Sequence, residues 1–380
     1  MEWLLVPVGV ALILTGVTDV FFTVLHYDGF GFLSSRLNNR LFRVVRFATR
    51  PLPRGYRDLG LSLAAPAMIP VTIVVWILLI SLGYAMIYYA GMSEQTFIFA
   101  SGLKPSFGSA VYVSGVSIST LGFGDITPVG FLYQALTVSE ALIGFGILTI
   151  SITYVLGIYG VLQQLGVLSA GLYHQAHDSS DPLSILAPHF PDGQHRGLET
   201  HVMQLHRGLV EIYEGIRRYP IVYYYHSRRA YRSLPYTFRM VGGMAAALRW
   251  GLPKDHPGSQ TPWLPTLITG LETIVDYLDE RFLSEPIEDS PDPTPFETFE
   301  AAYSRNKEPT DPWLERFVQI DAYMSDLTQL DGPSDTDEAY VRYKEWLAFA
   351  HRNRAFFEAS AKDLGYNLKE LNHDPGERLF

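Results

Sequence analysis

The hydrophobic pattern divides the chain in two. Three stretches are almost free of charge: about Trp3–Leu25, broken only by Asp19; about Pro66–Tyr89, with no charge at all; and about Phe131–Ile158, broken only by Glu140. Each reaches or exceeds the roughly 20 apolar residues that a helix needs to cross a bilayer, so three membrane helices are predicted. The first is not read as a cleavable leader. It lacks a basic beginning, its apolar run is too long, and no small-residue cleavage pattern follows. Phe107–Ser119 is apolar and rich in small residues but only 13 residues long, which predicts a re-entrant helix. After about Gly171 the pattern changes to an amphipathic helical period, as in "LETHVMQLHRGLVEIYEGIRR" and "DEAYVRYKEWLAFAHRNRAFFEASAKDL". Asp311–Pro312 and the Ser/Asp cluster before Glu338 read as helix starts, and proline-rich breaks fall near 252–264 and 286–295. The expected architecture is an all-α membrane protein: an N-terminal membrane helix at 1–27, a basic linker helix at 28–62, a pore domain at 63–165 and a helical cytoplasmic domain at 171–380.

Charge orients these elements. The 380 residues carry a net charge of −10. Residues 1–160 hold 8 basic and 7 acidic groups, whereas residues 161–380 hold 21 and 32. Seven arginines, Arg36 to Arg57, fill the loop between the first two apolar runs. Short arginine-rich loops stay in the cytoplasm. The N-terminus is therefore expected outside and the long C-terminal part inside, with the plasma (inner) membrane as the location. Arg36, Arg40, Arg43, Arg46 and Arg50 recur every third or fourth residue, with Leu33, Leu37, Leu41, Val44 and Ala48 on another face. An interfacial helix against the lipid bilayer, with anionic lipids as candidate partners, needs this pattern. A voltage sensor is the rival reading, but only one membrane helix precedes the block.

Between the second and third spans lies "SISTLGFGDITP", residues 117–128. Non-helical backbone at membrane depth is tolerated only where it is buried in protein or lines an aqueous path. A surface glycine-rich turn is the plain alternative, and the flanking spans argue against it. The stretch resembles the potassium-channel pore family, in which an outer helix, a pore helix, a filter and an inner helix follow one another. Thr120–Asp125, "TLGFGD", looks like that family's filter signature, and the resemblance covers about residues 66–160. It implies that the backbone carbonyls of Thr120, Leu121, Gly122 and Phe123, with the Thr120 hydroxyl, replace the water around a potassium ion. Successive carbonyls face one way only if alternate residues take positive φ, which suits Gly122 and Gly124. The resemblance places Asp125 at the outer mouth, with a hydrogen bond from Tyr112 on the pore helix. Leu121 and Phe123 stand where the family prefers valine and tyrosine, so one hydroxyl behind the filter is lost. One filter segment per chain implies a homotetramer with cyclic symmetry.

Other residues follow from position. Gly144 on the inner helix reads as a gating hinge or as a close-packing contact. Leu148, Ile152 and Leu156 share one helix face and read as cavity or gate lining, or as lipid contact. Glu140 is expected behind the filter as a structural hydrogen-bond partner. Asp19 is expected to pair with an arginine of the basic block.

There is no cysteine, which excludes disulfides and thiolate metal sites. Neither a glycine-rich dinucleotide motif after a strand nor a run of short alternating strands occurs beyond residue 171. Residues 196–254 hold ten basic and three acidic groups, and residues 272–338 four and nineteen. "RRYPIVYYYHSRRAYR" can meet anionic lipid, a phosphorylated ligand, the acidic region or a neighbouring subunit. The acidic stretches "EPIEDSPDPTPFE" and "DGPSDTDE" read as solvated loops, and His195, His201 and His206 as surface histidines. The sequence reads as a potassium-selective channel, not an enzyme, with K+ as permeant ion, no organic cofactor, no nucleic-acid partner and no identifiable regulatory ligand. A non-selective cation channel and a membrane-anchored sensor or enzyme with a non-conducting pore are the rivals.

Overall fold

A computed structural model describes residues 2–29, 31–305, 311–330 and 335–371. The protein is an all-α membrane protein. In chain order its helices are α1 (Leu5–Val20), α2 (Phe32–Thr49), α3 (Arg54–Gly91), α4 (Phe107–Ile118), α5 (Phe131–Gln175), α6 (Leu198–Arg218), α7 (Leu234–Trp250), α8 (Leu264–Phe282), α9 (Phe296–Arg305), α10 (Pro312–Leu327), α11 (Thr336–Leu364) and α12 (Leu368–Leu371). Two short strands, β1 (Phe97–Phe99) and β2 (Ile126–Pro128), form an antiparallel ribbon. Among the described residues, three helical segments are long and apolar enough to cross a membrane: Leu5–Leu25, α3 and α5. The last two outrun the apolar patterns that predicted them. At 1.5 Å per residue α3 is about 57 Å long, nearly twice the hydrocarbon thickness. The chain divides into two compact units, one of residues 1–160 with 215–225, the other of 161–214 with 226–380.

In the first unit α1 runs antiparallel along α3 because small residues let the backbones meet. A Cβ at Gly9 would lie 2.5 Å from the Gly83 carbonyl oxygen, and one at Gly83 would lie 2.6 Å from that of Gly9. Higher along the same seam Gly16 faces the Ile80 side chain. Asp19 is fully buried at the end of the seam. The arginine partner expected from the sequence is replaced by amides, a hydroxyl and an indole. The Asp19 carboxylate accepts from the Leu33 amide (2.8 Å), the Ser34 amide (3.2 Å) and hydroxyl (2.9 Å), and the Trp76 indole (2.7 Å). The first turn of α2 has unpaired amides and the positive end of the helix dipole, which a neighbouring carboxylate satisfies. The buried face of α2 is Ser34, Asn38, Phe42 and Thr49, with Thr72 of α3 donating to Asn38 at 3.1 Å. The leucine face read from the sequence lies beside it: Leu33, Leu37 and Leu41 are half-buried, Val44 and Ala48 exposed.

The second unit is helical throughout its described residues, apart from loops and short 3₁₀ turns. Its centre is α7, buried from Leu234 to Leu248. The small residues of "MVGGMAAAL" allow neighbours to approach it on all sides, and the Asn353 side chain of α11 lies against Gly242. Arg342, also fully buried, is held by Asp321 (2.6 Å), Glu338 (2.7 Å) and the Trp250 carbonyl (2.6 Å). His201 is not a surface residue. It is buried, its ring 4.6 Å from that of His189. His206 lies 6.2 Å from the Trp263 ring. Of the two acidic stretches, the first is extended and largely exposed, and residues 331–334 of the second lie outside the described residues.

Two outcomes are expected. Gly83→Leu should separate α1 from α3 and lower the detergent-solubilised protein's stability by about 1–3 kcal/mol, the usual cost of overpacking. Gly55→Ala, where a Cβ meets nothing within 4 Å, should leave the thermal midpoint unchanged. The second outcome concerns pH. Burial, then the nearby His189, lowers the His201 pKa from 6.5 to about 4. The folded state therefore favours neutral His201, and this stability is complete above about pH 6.5. It is lost as pH falls toward 4, up to about 3 kcal/mol. Thermal midpoints across that window should fall less steeply for His201→Leu than for the parent.

Candidate functional site

The hairpin between α3 and α5 is built from its ends inward. After Gly91 the chain turns on Thr96, whose hydroxyl donates to the Gly91 carbonyl (2.6 Å) and accepts from the Ser93 amide (2.9 Å). β1 then pairs with β2, Phe97 opposite Pro128. The ribbon is extended by the Ala100 amide on the Asp125 carbonyl and the Val129 amide on the Thr96 carbonyl, both 2.8 Å. Phe97 is completely buried at the base, packed on Tyr88 and Tyr133. α4 starts at Ser106, whose hydroxyl caps the Ser109 amide at 3.0 Å. It ends with the Thr120 amide on the Ser117 carbonyl (2.9 Å) and the Leu121 amide on the Val116 carbonyl (3.0 Å).

From there the backbone alternates. Thr120, Gly122 and Gly124 have φ of 58°, 61° and 80°. The two glycines take this conformation without steric cost. Thr120 does not: a β-branched residue in the left-handed region is strained by about 1–3 kcal/mol. Leu121 and Phe123 are 62% and 66% exposed in the single chain. Tyr112 donates to Asp125 at 2.7 Å, and the other Asp125 oxygen accepts from its neighbour's amide, Ile126, at 3.1 Å.

Behind this segment is a buried polar cluster. Glu140 of α5, with no exposed surface, accepts from the Ser114 hydroxyl of α4 and from the Tyr88 hydroxyl of α3 (2.8 Å). Ser114 also reaches Ser81 of α3, and Tyr84 meets Ser139 at 2.8 Å. One carboxylate thus ties outer, pore and inner helices together. Gly144, one turn further along α5, passes so close to the end of α4 that a Cβ would overlap the Ile118 carbonyl. Leu148, Ile152 and Leu156 are exposed along one face of α5. On α2, Arg36, Arg40, Arg43 and Arg50 are exposed and Arg46 is half-buried.

A long apolar helix, a short apolar helix, a strained loop with alternating φ and a second long apolar helix make up this hairpin. Residues 71–159 match the family model described as "Ion channel". The chain carries an ion-channel domain. It is also similar to an uncharacterized membrane protein, YdjJ, of Bacillus subtilis (strain 168), with 23% identity over 254 residues, 66% of this chain and 72% of that protein. No solved structure matches the chain.

Three features of the ion-channel domain escaped the sequence reading. The β1–β2 ribbon is only three residues a side, too short for a periodic signal. The positive φ of Thr120 has no compositional mark. Residues 215–225 pack in the same unit as the channel helices, although a long stretch of chain separates them.

Removing the Tyr88 hydroxyl should expose the cost of the buried cluster. Tyr88→Phe leaves an unanswered oxygen on buried Glu140 and should lower stability by about 1–3 kcal/mol. Thermal unfolding in detergent reads it, and Tyr56→Phe, on the exposed first turn of α3, is the control.

Proposed function

We propose that the ion-channel domain conducts potassium selectively, as a homotetramer whose four copies each contribute one Thr120–Asp125 segment around a shared axis. The observation that carries this reading is the φ alternation at Thr120, Gly122 and Gly124, at the carboxyl end of a short helix. It permits one row of carbonyls per chain, and four rows would coordinate a dehydrated cation. The negative end of the α4 dipole would add to the attraction for cations. Glu140 and Tyr112 would hold the filter from behind and from the outer mouth. Leu121 and Phe123 would be covered by neighbouring chains, and the exposed Leu148, Ile152 and Leu156 face of α5 would line the ion path.

In this reading K+ is the permeant ion and the arginines of α2 lie at the cytoplasmic lipid surface. The N-terminus is outside, and the second unit lies in the cytoplasm, where it receives the gating stimulus. Purified protein in liposomes should pass potassium faster than sodium, the discrimination expected of a carbonyl filter. Gly122→Ala should abolish the flux, because alanine at a φ of 61° is strained. Equal potassium and sodium fluxes would sink the selectivity claim.

A further inference from the structure

We propose that residues 217–224 form a latch on the outer side of the inner helix, which restrains the outward movement of α5 that opens the ion path. This rests on the proposed function, and it assigns a role to the tyrosine-rich basic stretch.

The segment begins in the last turn of α6 and continues as a 3₁₀ turn, Pro220–Tyr224, in which Ile221, Val222, Tyr223 and Tyr224 are buried. Its contacts in the first unit include the α1–α2 turn, α2, α3 and α5. Arg217 pairs with Asp28 in the turn between α1 and α2 at 2.7 Å. Next to it Gly29, at a φ of 54°, lies so close to the Arg218 carbonyl that any side chain would overlap it. Tyr224 packs on Phe42, the buried aromatic of α2, with ring centroids 5.1 Å apart. Tyr219 lies against α5 itself. Its ring sits 5.5 Å from that of Tyr154, and its hydroxyl occupies the space where a side chain at residue 157 would be, which is glycine.

The side of α5 matters. At about 100° per residue, the mean directions of Leu148, Ile152 and Leu156 and of Tyr154 and Gly157 differ by about 170°. Tyr219 therefore backs the helix opposite its exposed leucine face. If that exposed face lines the ion path, opening moves α5 toward Tyr219. With Gly157 already filled, that movement requires the segment to leave. Arg217–Asp28 and Phe42–Tyr224 hold it in place, fixed to α2 and to the turn before it. Both ends of the segment run on into the second unit, as does α5 after Gly160. A stimulus received there can pull the latch through the chain itself.

The chain has no cysteine, so one can be placed at will. In full-length protein in liposomes, Val222→Cys should react slowly with maleimide, since Val222 is 3% exposed. Adding Asp28→Arg or Tyr219→Ala should accelerate labelling. In the parent background, Asp28→Arg should raise potassium flux about twofold to fivefold, the range for losing a half-exposed ion pair. The swap Asp28→Arg with Arg217→Asp should return both labelling and flux toward the parent, which a merely misfolded variant would not do. Fast labelling of Val222→Cys alone overturns the latch, as does unchanged or reduced flux once labelling shows release. If no variant conducts although labelling shows release, the conduction reading fails and the latch's gating role with it. Altered flux that the swap does not restore also counts against it.

Discussion

Backbone polar groups inside hydrocarbon must be hydrogen-bonded or face water, at a cost of several kcal/mol for each that is not. In the first unit this constraint bears hardest on one place. Residues 119–125 leave helical geometry between two membrane-crossing helices, and much around them serves to make that departure tolerable. The end of α4 wraps the amides of Ser119, Thr120 and Leu121 back onto its own carbonyls. The β1–β2 ribbon ties down the return. Glu140 then fixes α4 between α3 and α5 from behind. A buried carboxylate is expensive unless its lone pairs are answered, so the Ser114 and Tyr88 hydroxyls are conditions of its presence.

Asp19 solves a different problem with the same side-chain chemistry. α2 begins three residues after a left-handed glycine, with no side-chain cap of its own. The carboxylate from α1 supplies what is missing, and the Trp76 indole binds the same group to α3. This explains why the arginine expected beside Asp19 is absent. Amides at a helix start offer partial positive charge at fixed positions, and they need an acceptor whether or not a cation is near. Arg36, Arg40, Arg43 and Arg50 of α2 are exposed, on the side away from Ser34, Asn38 and Phe42.

Much of the channel part was legible because its signals are physical minima of length and charge. A run without charge between Asp58 and Glu94 has few readings, and "TLGFGD" after a 13-residue apolar segment has few more. Tyr112 and Asp125 could be paired in advance because the resemblance to the potassium-channel pore family puts Tyr112, eight residues before Thr120, where a pore-helix aromatic holds that aspartate. What could not be read were contacts set by distant chain. Nothing in the sequence brings Arg217 to Asp28, 189 positions away, or Tyr219 to Gly157. The helical period of the second unit pointed to helices such as α6 and α11 but not to the central α7 or to burial. The all-round apolar, small-residue character of α7 marks a central helix, yet His201 resembles a surface histidine until α6 is packed.

The two departures at Leu121 and Phe123 can be weighed against this support. Neither changes the backbone conformations that matter, because the left-handed positions are 120, 122 and 124. Their side chains are mostly exposed in the single chain, so their packing would be decided by neighbouring copies in the proposed tetramer. Phenylalanine at 123 has no hydroxyl to offer such a neighbour. Within one chain, the polar side-chain contact holding the outer end of the segment to α4 is Tyr112 on Asp125, and it is solvent-exposed. The inner end carries the strain of Thr120 but is backed by α4 and, through it, by Glu140. Loss of the outer bond should therefore loosen the segment from the Asp125 end inward, while the Thr120 end keeps its shape.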